Sequence, residues 1–291
     1  MNETATIKIF LRFGDPKRLR IAEISNWTGK AIAAPRSDLD ELLSREELQN
    51  PGVYFLLGTS VEDGENLVYI GEAETICSRL KQHKEKEFWN SAIIFVSKDE
   101  NLTKSHIRYL EGKLIQTSLK IGRYKIENAQ SSGSKLPEAD LNEMDVFLEK
   151  ISQLLPMLGT DLLTPMVAKP FPKFIDNMLT DVEASEDVLY LSAKGLSAVG
   201  MRSPNGFVIF KGSKAVLNFR ESAANYVVKL RTELISNETL FNSGNYYEFV
   251  KDAEFTSPSA AAAIIVGGNA NGLTLWKNNN GISLKTIEGL V

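Results

Sequence analysis

Polar and apolar residues alternate along residues 5–12 (ATIKIFLR), a period of two that predicts a strand. Ser37 then opens SDLDELLSREEL, where Glu41 and Leu42 fall in the first turns of a short helix. Two apolar runs, Gly52–Gly58 (GVYFLLG) and Leu67–Gly71 (LVYIG), read as strands joined by the polar loop TSVEDGEN with its Asp63-Gly64 turn signal. Thr75 is placed to cap a helix running to about Lys86, with Ile76 and Leu80 on its buried edge and Arg79 and His83 one turn apart. Ala92–Val96 predicts a third strand. Thr103 caps a second helix in which Ile107, Leu110, Leu114 and Ile121 recur at helical spacing, and Gly122 ends it. Strand, strand, helix, strand, helix is the order of a small α/β sandwich.

After the break SSGSK the pattern returns to a helical period over residues 139–158, where Leu141, Leu148 and Leu155 interleave with Met144, Ile151 and Leu158. Under three heptads is too short for an independent coiled coil. The expectation is a helix packed on a neighbouring domain, with a homodimer seam through 139–158 as the alternative. Proline-rich TPMVAKPFPKF marks a linker near 160–185, and GFVIFKGSKAV predicts a hairpin turning at Gly212. In SPSAAAAIIVGGNANGLTLWK, Ser257 and Pro258 start a helix that stops at Gly267-Gly268, and Asn271-Gly272 turns into a strand ending at Trp276. The pattern divides the chain into an N-terminal strand and helix extension (1–50), the sandwich (51–135), an amphipathic helix with an acidic linker (136–185) and a small α+β domain (186–291).

The chain of 291 residues, 43% hydrophobic and 24% charged, is long enough for two ordinary domains with real cores. Its net charge of −4 neither directs it to nucleic acid nor excludes it, but the distribution is uneven. Residues 136–185 carry three Lys against nine acidic residues, whereas 51–135 carry twelve basic against eleven acidic. A polyanion would therefore be met by a few aimed cations. The single cysteine, Cys77, excludes an internal disulfide and a cysteine-based zinc cluster, and fits a reducing, cytoplasmic setting. The N-terminal residues do not read as a signal peptide, and the longest apolar run, Ala260–Val266, is far short of the ~20 residues of a membrane span, so no membrane role is expected.

Chemistry concentrates in the sandwich. Glu111 borders the apolar helix face between Ile107 and Leu114, where a carboxylate is half-desolvated and wants a cation. Alone, it reads more readily as an ordinary boundary residue paired with a cation such as Arg108. Arg79 suits a phosphate clamp because its guanidinium fork contacts two oxygens and stays charged. His83 can pass a proton to a leaving oxygen or hydrogen-bond the phosphate. Tyr54 and Tyr69 are either satisfied core residues or hydroxyls that orient an attacking water. Gly71 suits close approach of the strand to phosphate, and Asn128 is placed to brace the tyrosines or Glu111. Lys81, Lys84 and Lys86 add cations beside Arg79.

Taken together, Gly52-Val53-Tyr54, Tyr69-Ile70-Gly71, Arg79, His83, Glu111 and Asn128 resemble, in order and spacing, the active-site motifs of the GIY-YIG nuclease family. The resemblance implies a central three-stranded antiparallel sheet flanked by helices and a Mg²⁺- or Mn²⁺-dependent endonuclease acting on DNA. It also implies that the two tyrosines, Arg79, His83, Glu111 and Asn128 form the active site, with Glu111 as metal ligand. PEADL at 137–141 and residues 189–290 resemble a bacterial multidomain subgroup in which a small domain of unknown function follows the nuclease domain. One departure stands out: where many members carry Lys after the second glycine, this chain has Glu72. That substitution leaves a second expectation open, a catalytically weak scaffold that binds nucleic acid or protein, with Lys211, Lys214 and Arg220 of the C-terminal domain as rival DNA contacts.

Overall fold

The first fifty residues do not stand apart from the sandwich; they widen its sheet. The computed structural model describes residues 4–60, 65–128, 133–165, 187–220 and 223–289 and divides into two units, Met1–Thr164 and Pro165–Val291. In the first unit, Ile7–Leu11 (β1), Arg20–Ile24 (β2) and Gly29–Pro35 (β3) form an antiparallel meander. The short helix Leu39–Leu43 (α1) follows, then Gly52–Thr59 (β4), Asn66–Ala73 (β5), the helix Ile76–Gln82 (α2) and Trp89–Ser97 (β6). The long helix Lys104–Ile121 (α3), the two-residue strand Lys125–Ile126 (β7) and the helix Glu138–Leu154 (α4) complete the unit. The sheet has seven strands in the order β1-β2-β3-β6-β4-β5-β7. The expected three-stranded core, β5-β4-β6, is present and antiparallel, and β3 adds to it through the register Gly29↔Ser97 to Pro35↔Ser91.

Two cores lie against this sheet. On one face Val53, Phe55, Ile93 and Phe95 pack with Ile107, Leu110 and Leu114 of α3 and with Met144, Phe147 and Ile151 of α4. The heptad positions of α4 are thus spent inside the unit: Met144, Ile151, Leu155 and Leu158 are buried there and Leu141 and Leu148 pack on them, so the dimer-seam alternative loses its face. On the other face Tyr54, Leu56 and Ile94 meet Leu39 and Leu42 of α1 and Ile76 and Leu80 of α2. Thr103 caps α3 through a hydroxyl that accepts from the His106 backbone N–H, and Gly122 ends it in the left-handed conformation. The Asp63-Gly64 turn and most of the Pro-rich linker lie outside the described residues.

The second unit holds a four-stranded sheet and a three-stranded one. Val188–Ala193 (β8), Leu196–Ser203 (β9) and Gly206–Ile209 (β10) form a meander, followed by Lys214–Ala215 (β11), the helix Asn225–Ser236 (α5), Leu240–Asn242 (β12), Tyr247–Phe249 (β13) and Ala253–Phe255 (β14). The helices Pro258–Val266 (α6), Gly272–Leu275 (α7) and Leu284–Ile287 (α8) close the unit. The sheet orders are β14-β10-β9-β8 and β11-β13-β12. Two expectations fail here. Gly212 does turn the chain, but β10 and β11 enter different sheets, because β11 pairs with β13 while the Ser213 hydroxyl is tied to both backbone groups of Val199. The segment after Asn271-Gly272 is helical rather than extended. Gly272 lies against the Pro258 backbone, where a Cβ would approach within 2.2 Å, and Trp276 is fully buried with its indole N–H donating to Pro258 O. Ser257 and Gly267 cap α6 as expected, with Ser257 Oγ accepting from the Ala260 N–H.

Among the described residues no helix is long and apolar enough to cross a membrane.

Candidate active site

Strand pairing creates the site. Tyr54 on β4 lies opposite Gly71 on β5, and Tyr69 lies two positions back on the same face. The rings of Tyr54 and Tyr69 stack with centroids 6.0 Å apart and 17° between planes. Gly71 serves this packing: a Cβ there would sit 2.4 Å from the Tyr54 hydroxyl oxygen, so the missing side chain makes room for the phenol.

Helix α2 brings up the cations. It stops at Gln82, earlier than the expected Lys86, and His83–Glu85 forms a 3₁₀ turn. His83 therefore leaves the helical register and points inward, 4% exposed, whereas Arg79 stays exposed. The His83 Nε2 lies 2.9 Å from the Tyr54 hydroxyl, and the imidazole centroid is 4.7 Å from that of Tyr69. Burial, with Lys86 and Arg79 adding repulsion, lowers the His83 pKa to about 4. Burial likewise raises that of Tyr54, with Tyr69 adding to the rise and Arg79 opposing it. At neutral pH the pair is thus an uncharged phenol and an uncharged imidazole. Arg79 is held above its ordinary value chiefly by the Tyr54 hydroxyl, and its Nη1 donates to Gln82 Oε1 at 2.9 Å. Both Tyr54 and Tyr69 act on its charge.

The remaining predicted residues divide by role. Asn128 braces the second tyrosine's strand: its Oδ1 accepts from the Ile70 N–H at 3.1 Å and its Nδ2 donates to Ile70 O at 2.6 Å. It extends the parallel β5–β7 ladder by side chain, one step beyond the Glu127-to-Val68 bond. Glu111 is half-buried on α3, and its pKa is raised, first by burial and then by the charge of Glu72, while the Glu72 backbone N–H and the cations Arg108 and Arg79 oppose the rise. Two carboxylates that repel each other beside a half-dry helix face form an oxygen-donor set that fits a hard cation such as Mg²⁺, which often uses only one or two protein carboxylates. Among the described residues no cluster of three or more His, Cys, Asp or Glu has metal-binding geometry. Lys81 is exposed, Lys84 pairs with Asp40 at 3.2 Å, and the Lys86 ammonium lies 4.5 Å from the Tyr69 ring centroid.

Arg36 is the residue that the sequence reading missed. Its guanidinium donates to the carbonyls of Lys84 and Lys86 and to that of Trp89 at 3.2 Å, and it stacks on the Trp89 ring at 4.5 Å. The Trp89 indole N–H in turn donates to His83 O at 3.0 Å. The turn carrying His83 and Lys86 is therefore pinned from the N-terminal segment. No local signal announces a side chain whose partners are carbonyls some fifty positions away.

The rival contacts lie in the second unit. Lys211 and Arg220 are exposed, and Lys214 lies 4.6 Å from the Tyr246 ring centroid. The model of a family described as a domain of unknown function (DUF4357) matches residues 189–288. Neither a curated protein nor a solved structure matches the chain.

Proposed function

We propose that residues 1–164 form a divalent-metal-dependent DNA endonuclease of the GIY-YIG type. The observation that carries this reading is the convergence of Tyr54, Tyr69, Arg79 and His83 at one end of β4 and β5, with the Tyr54 hydroxyl 2.9 Å from His83 Nε2. A surface arginine and two core tyrosines at arbitrary positions would not share a hydrogen-bonded cluster containing a buried, uncharged imidazole.

In this reading the Arg79 fork takes two oxygens of the scissile phosphate. The Tyr54 oxygen accepts a proton from the attacking water as its own hydroxyl proton passes to His83 Nε2. The water oxygen bonds to phosphorus, the bond to the leaving 3′ oxygen breaks, and that oxygen takes a proton from solvent. His83 is a proton acceptor here, because an imidazole that titrates near 4 carries no proton to give at pH 7. Glu111, with Glu72 beside it, would hold the divalent ion, which supplies charge neutralisation at the phosphoryl oxygens and acidifies bound water.

Plasmid nicking with Mg²⁺ or Mn²⁺ tests the reading, run beside Glu111→Ala and Glu111→Gln. Loss of cleavage in both variants with unchanged folding is the expected result, and wild-type nicking by the Gln variant removes Glu111 as metal ligand. The second reading, a binding scaffold, is favoured by the carboxylate of Glu72 standing where a cation would assist the base. Retained DNA binding with no cleavage by the wild-type protein selects it.

A further inference from the structure

The outer strand of the seven-stranded sheet carries apolar side chains into water. In β1, the terminal strand, Phe10 is 61% and Ile9 43% exposed, and Phe13, just past the strand, is 40% exposed. Sheet edges are commonly guarded by charge, and Lys8 and Arg12 would suffice for that. A phenylalanine in water between them works against the guard, because an aromatic on a free edge invites association. The surroundings are cationic: residues 4–20 hold Lys8, Arg12, Lys17, Arg18 and Arg20 against a single acid, Asp15. Arg12 and Arg18 are tied to Glu41 and Asp38, and the Arg18 guanidinium lies 3.9 Å from the Phe13 ring centroid. Lys8 and Lys17 are exposed and have no ion-pair partner among the described residues. Glu23, opposite Lys8 in the ladder, is engaged by Lys98 at 3.3 Å and by Lys30 at 3.8 Å.

Phe10 also stands in line with the candidate active site. The strand registers join Phe10, Ile21, Ile32, Ile94 and Tyr54 in one row across the sheet, so Phe10 and Tyr54 belong to the same face. The three isoleucines between them are buried in the core that includes α1 and α2, and the row comes out into water at Phe10. Four strand spacings of ~4.8 Å put roughly 19 Å between the ends of the row, about six base steps of a DNA strand. We propose that β1 and the turn after it bind an unpaired DNA strand flanking the cleavage site, with a base stacked on Phe10 and phosphates at Lys8 and Lys17. Every base offers a π-face to an aromatic ring, and a phosphate chain supplies the negative charge that the two ammonium groups lack. A second copy of this chain is a poorer occupant, since it brings its own Lys8 and Arg12 to the same edge. The contact gives the N-terminal strands a task beyond widening the sheet.

The choice of DNA rests on the nuclease reading, but the contact is measurable without cleavage. Full-length protein in EDTA is titrated, by fluorescence anisotropy, into a labelled duplex ending in an oligothymidine tail and into the same duplex with blunt ends. The tail should tighten binding by ~10-fold or more, the effect of one stacked base and two neutralised phosphates. Phe10→Ala and Phe10→Leu should each lose ~10-fold on the tailed duplex and nothing on the blunt one, and Phe10→Trp should restore the preference. The leucine keeps apolar bulk and removes only the ring, and a side chain lying mostly in water is replaced without unfolding the chain. Lys8→Gln combined with Lys17→Gln should lower the magnitude of the log–log salt slope on the tailed duplex by about 1.4, at ~0.7 per single-strand phosphate. Equal wild-type affinity for tailed and blunt duplexes overturns the proposal, as does wild-type tail binding by Phe10→Leu. Loss of binding to polyglutamate in place of tailed DNA assigns the patch to an acidic protein segment. A fall from dimer to monomer mass in Phe10→Ala, by light scattering, assigns it to a second copy, and either result overturns the proposal. If the wild-type protein prefers the tail through Phe10 but cuts no DNA with Mg²⁺ or Mn²⁺, the nuclease reading falls and this contact stands.

Discussion

A basic residue type is buried in each unit, His83 in the first and Arg231 in the second, and the two are partnered in different ways. In the second unit Arg231 is 1% exposed, with its guanidinium donating to Ile264 O and, at 3.1 Å, to Leu217 O. Phe219 and Tyr247 lie 4.4 and 5.6 Å from it, and burial lowers its pKa. Its partners are carbonyls, one of them in the last turn of α6 where the helix dipole favours a cation, and ring faces. The carbonyls carry no proton to exchange. In the first unit His83 is buried just as deeply, but its partner is a hydroxyl, its neighbours are two cations, and an exposed arginine opens the cluster to solvent. Burial alone therefore distinguishes nothing. A buried polar group becomes a candidate for chemistry when its partners are themselves titratable and one of them reaches the surface.

The largest effect expected from this contrast is on rate. Tyr54→Phe keeps the ring that fills the space above Gly71 and removes only the hydroxyl shared with His83 and Arg79. Cleavage should fall by ~10²–10⁴-fold with DNA affinity nearly unchanged, the range for loss of a positioned acid–base group. A rate within a few-fold of wild type would mark Tyr54 as core packing and the first unit as no more chemical than the second.

Arg231→Ala addresses the other half of the comparison. It opens a cavity in the second core and strands one buried and one partly buried carbonyl, for an expected loss of roughly 3–5 kcal/mol in the urea unfolding of that unit. Cleavage per folded molecule should not change. A loss of cleavage with the second unit still folded would place Arg231 in the function rather than in the scaffold.

Much of this contrast was legible in the chain before folding. Local signals marked β4, β5, β6 and α3, because alternation, the Thr103 cap and the Gly122 stop act within a few residues of themselves. Motif spacing named Tyr54, Tyr69, Arg79, His83, Glu111 and Asn128. The β3–β6 pairing was not legible: GKAIAAP carries little strand propensity, and its place in the sheet comes from pairing with residues some sixty positions away. The helix α7 was misread because a four-residue run has no resolvable period, and the contact of Gly272 with Pro258 decides it. The state of His83 was hidden for a related reason. Helical spacing placed it beside Arg79, but the 3₁₀ turn that buries it depends on Arg36 and Trp89.

The burial of His83 has a thermodynamic signature smaller than these. Above its ordinary value of 6.5 the imidazole is neutral in folded and unfolded chains alike and contributes no pH dependence. As pH falls through 6.5 the unfolded chain takes up a proton that the folded one refuses, so stability declines until the folded pKa of about 4, below which this group adds no further loss. Between pH 7 and 4.5 the wild-type first unit should therefore lose about 2–3 kcal/mol more than His83→Gln, measured by urea unfolding at each pH. Parallel pH profiles for the two proteins would show that His83 is protonated in the fold, and the proton-acceptor role would go with it.

The smallest effect tests where an anion meets the first unit. Lys81 is exposed and Lys84 is in an exposed pair with Asp40, whose side chain is 94% exposed, so both cations lie in water that screens them. Arg79, by contrast, interacts with both tyrosines. Few phosphates can then be neutralised, and the log–log dependence of DNA affinity on salt should have a magnitude of only about 2–4, at ~0.9 per phosphate. Lys81→Ala should weaken binding by a few tenths of a kcal/mol, roughly the worth of one screened surface charge, and leave the rate at saturation unchanged. Arg79→Ala should cost both. Residues 1–164, expressed alone, should keep the shallow slope. If that fragment binds nothing while residues 187–291 bind DNA with a steep slope, the contacts belong to the second unit through Lys211, Lys214 and Arg220, and the division between a chemical first unit and a structural second one is wrong.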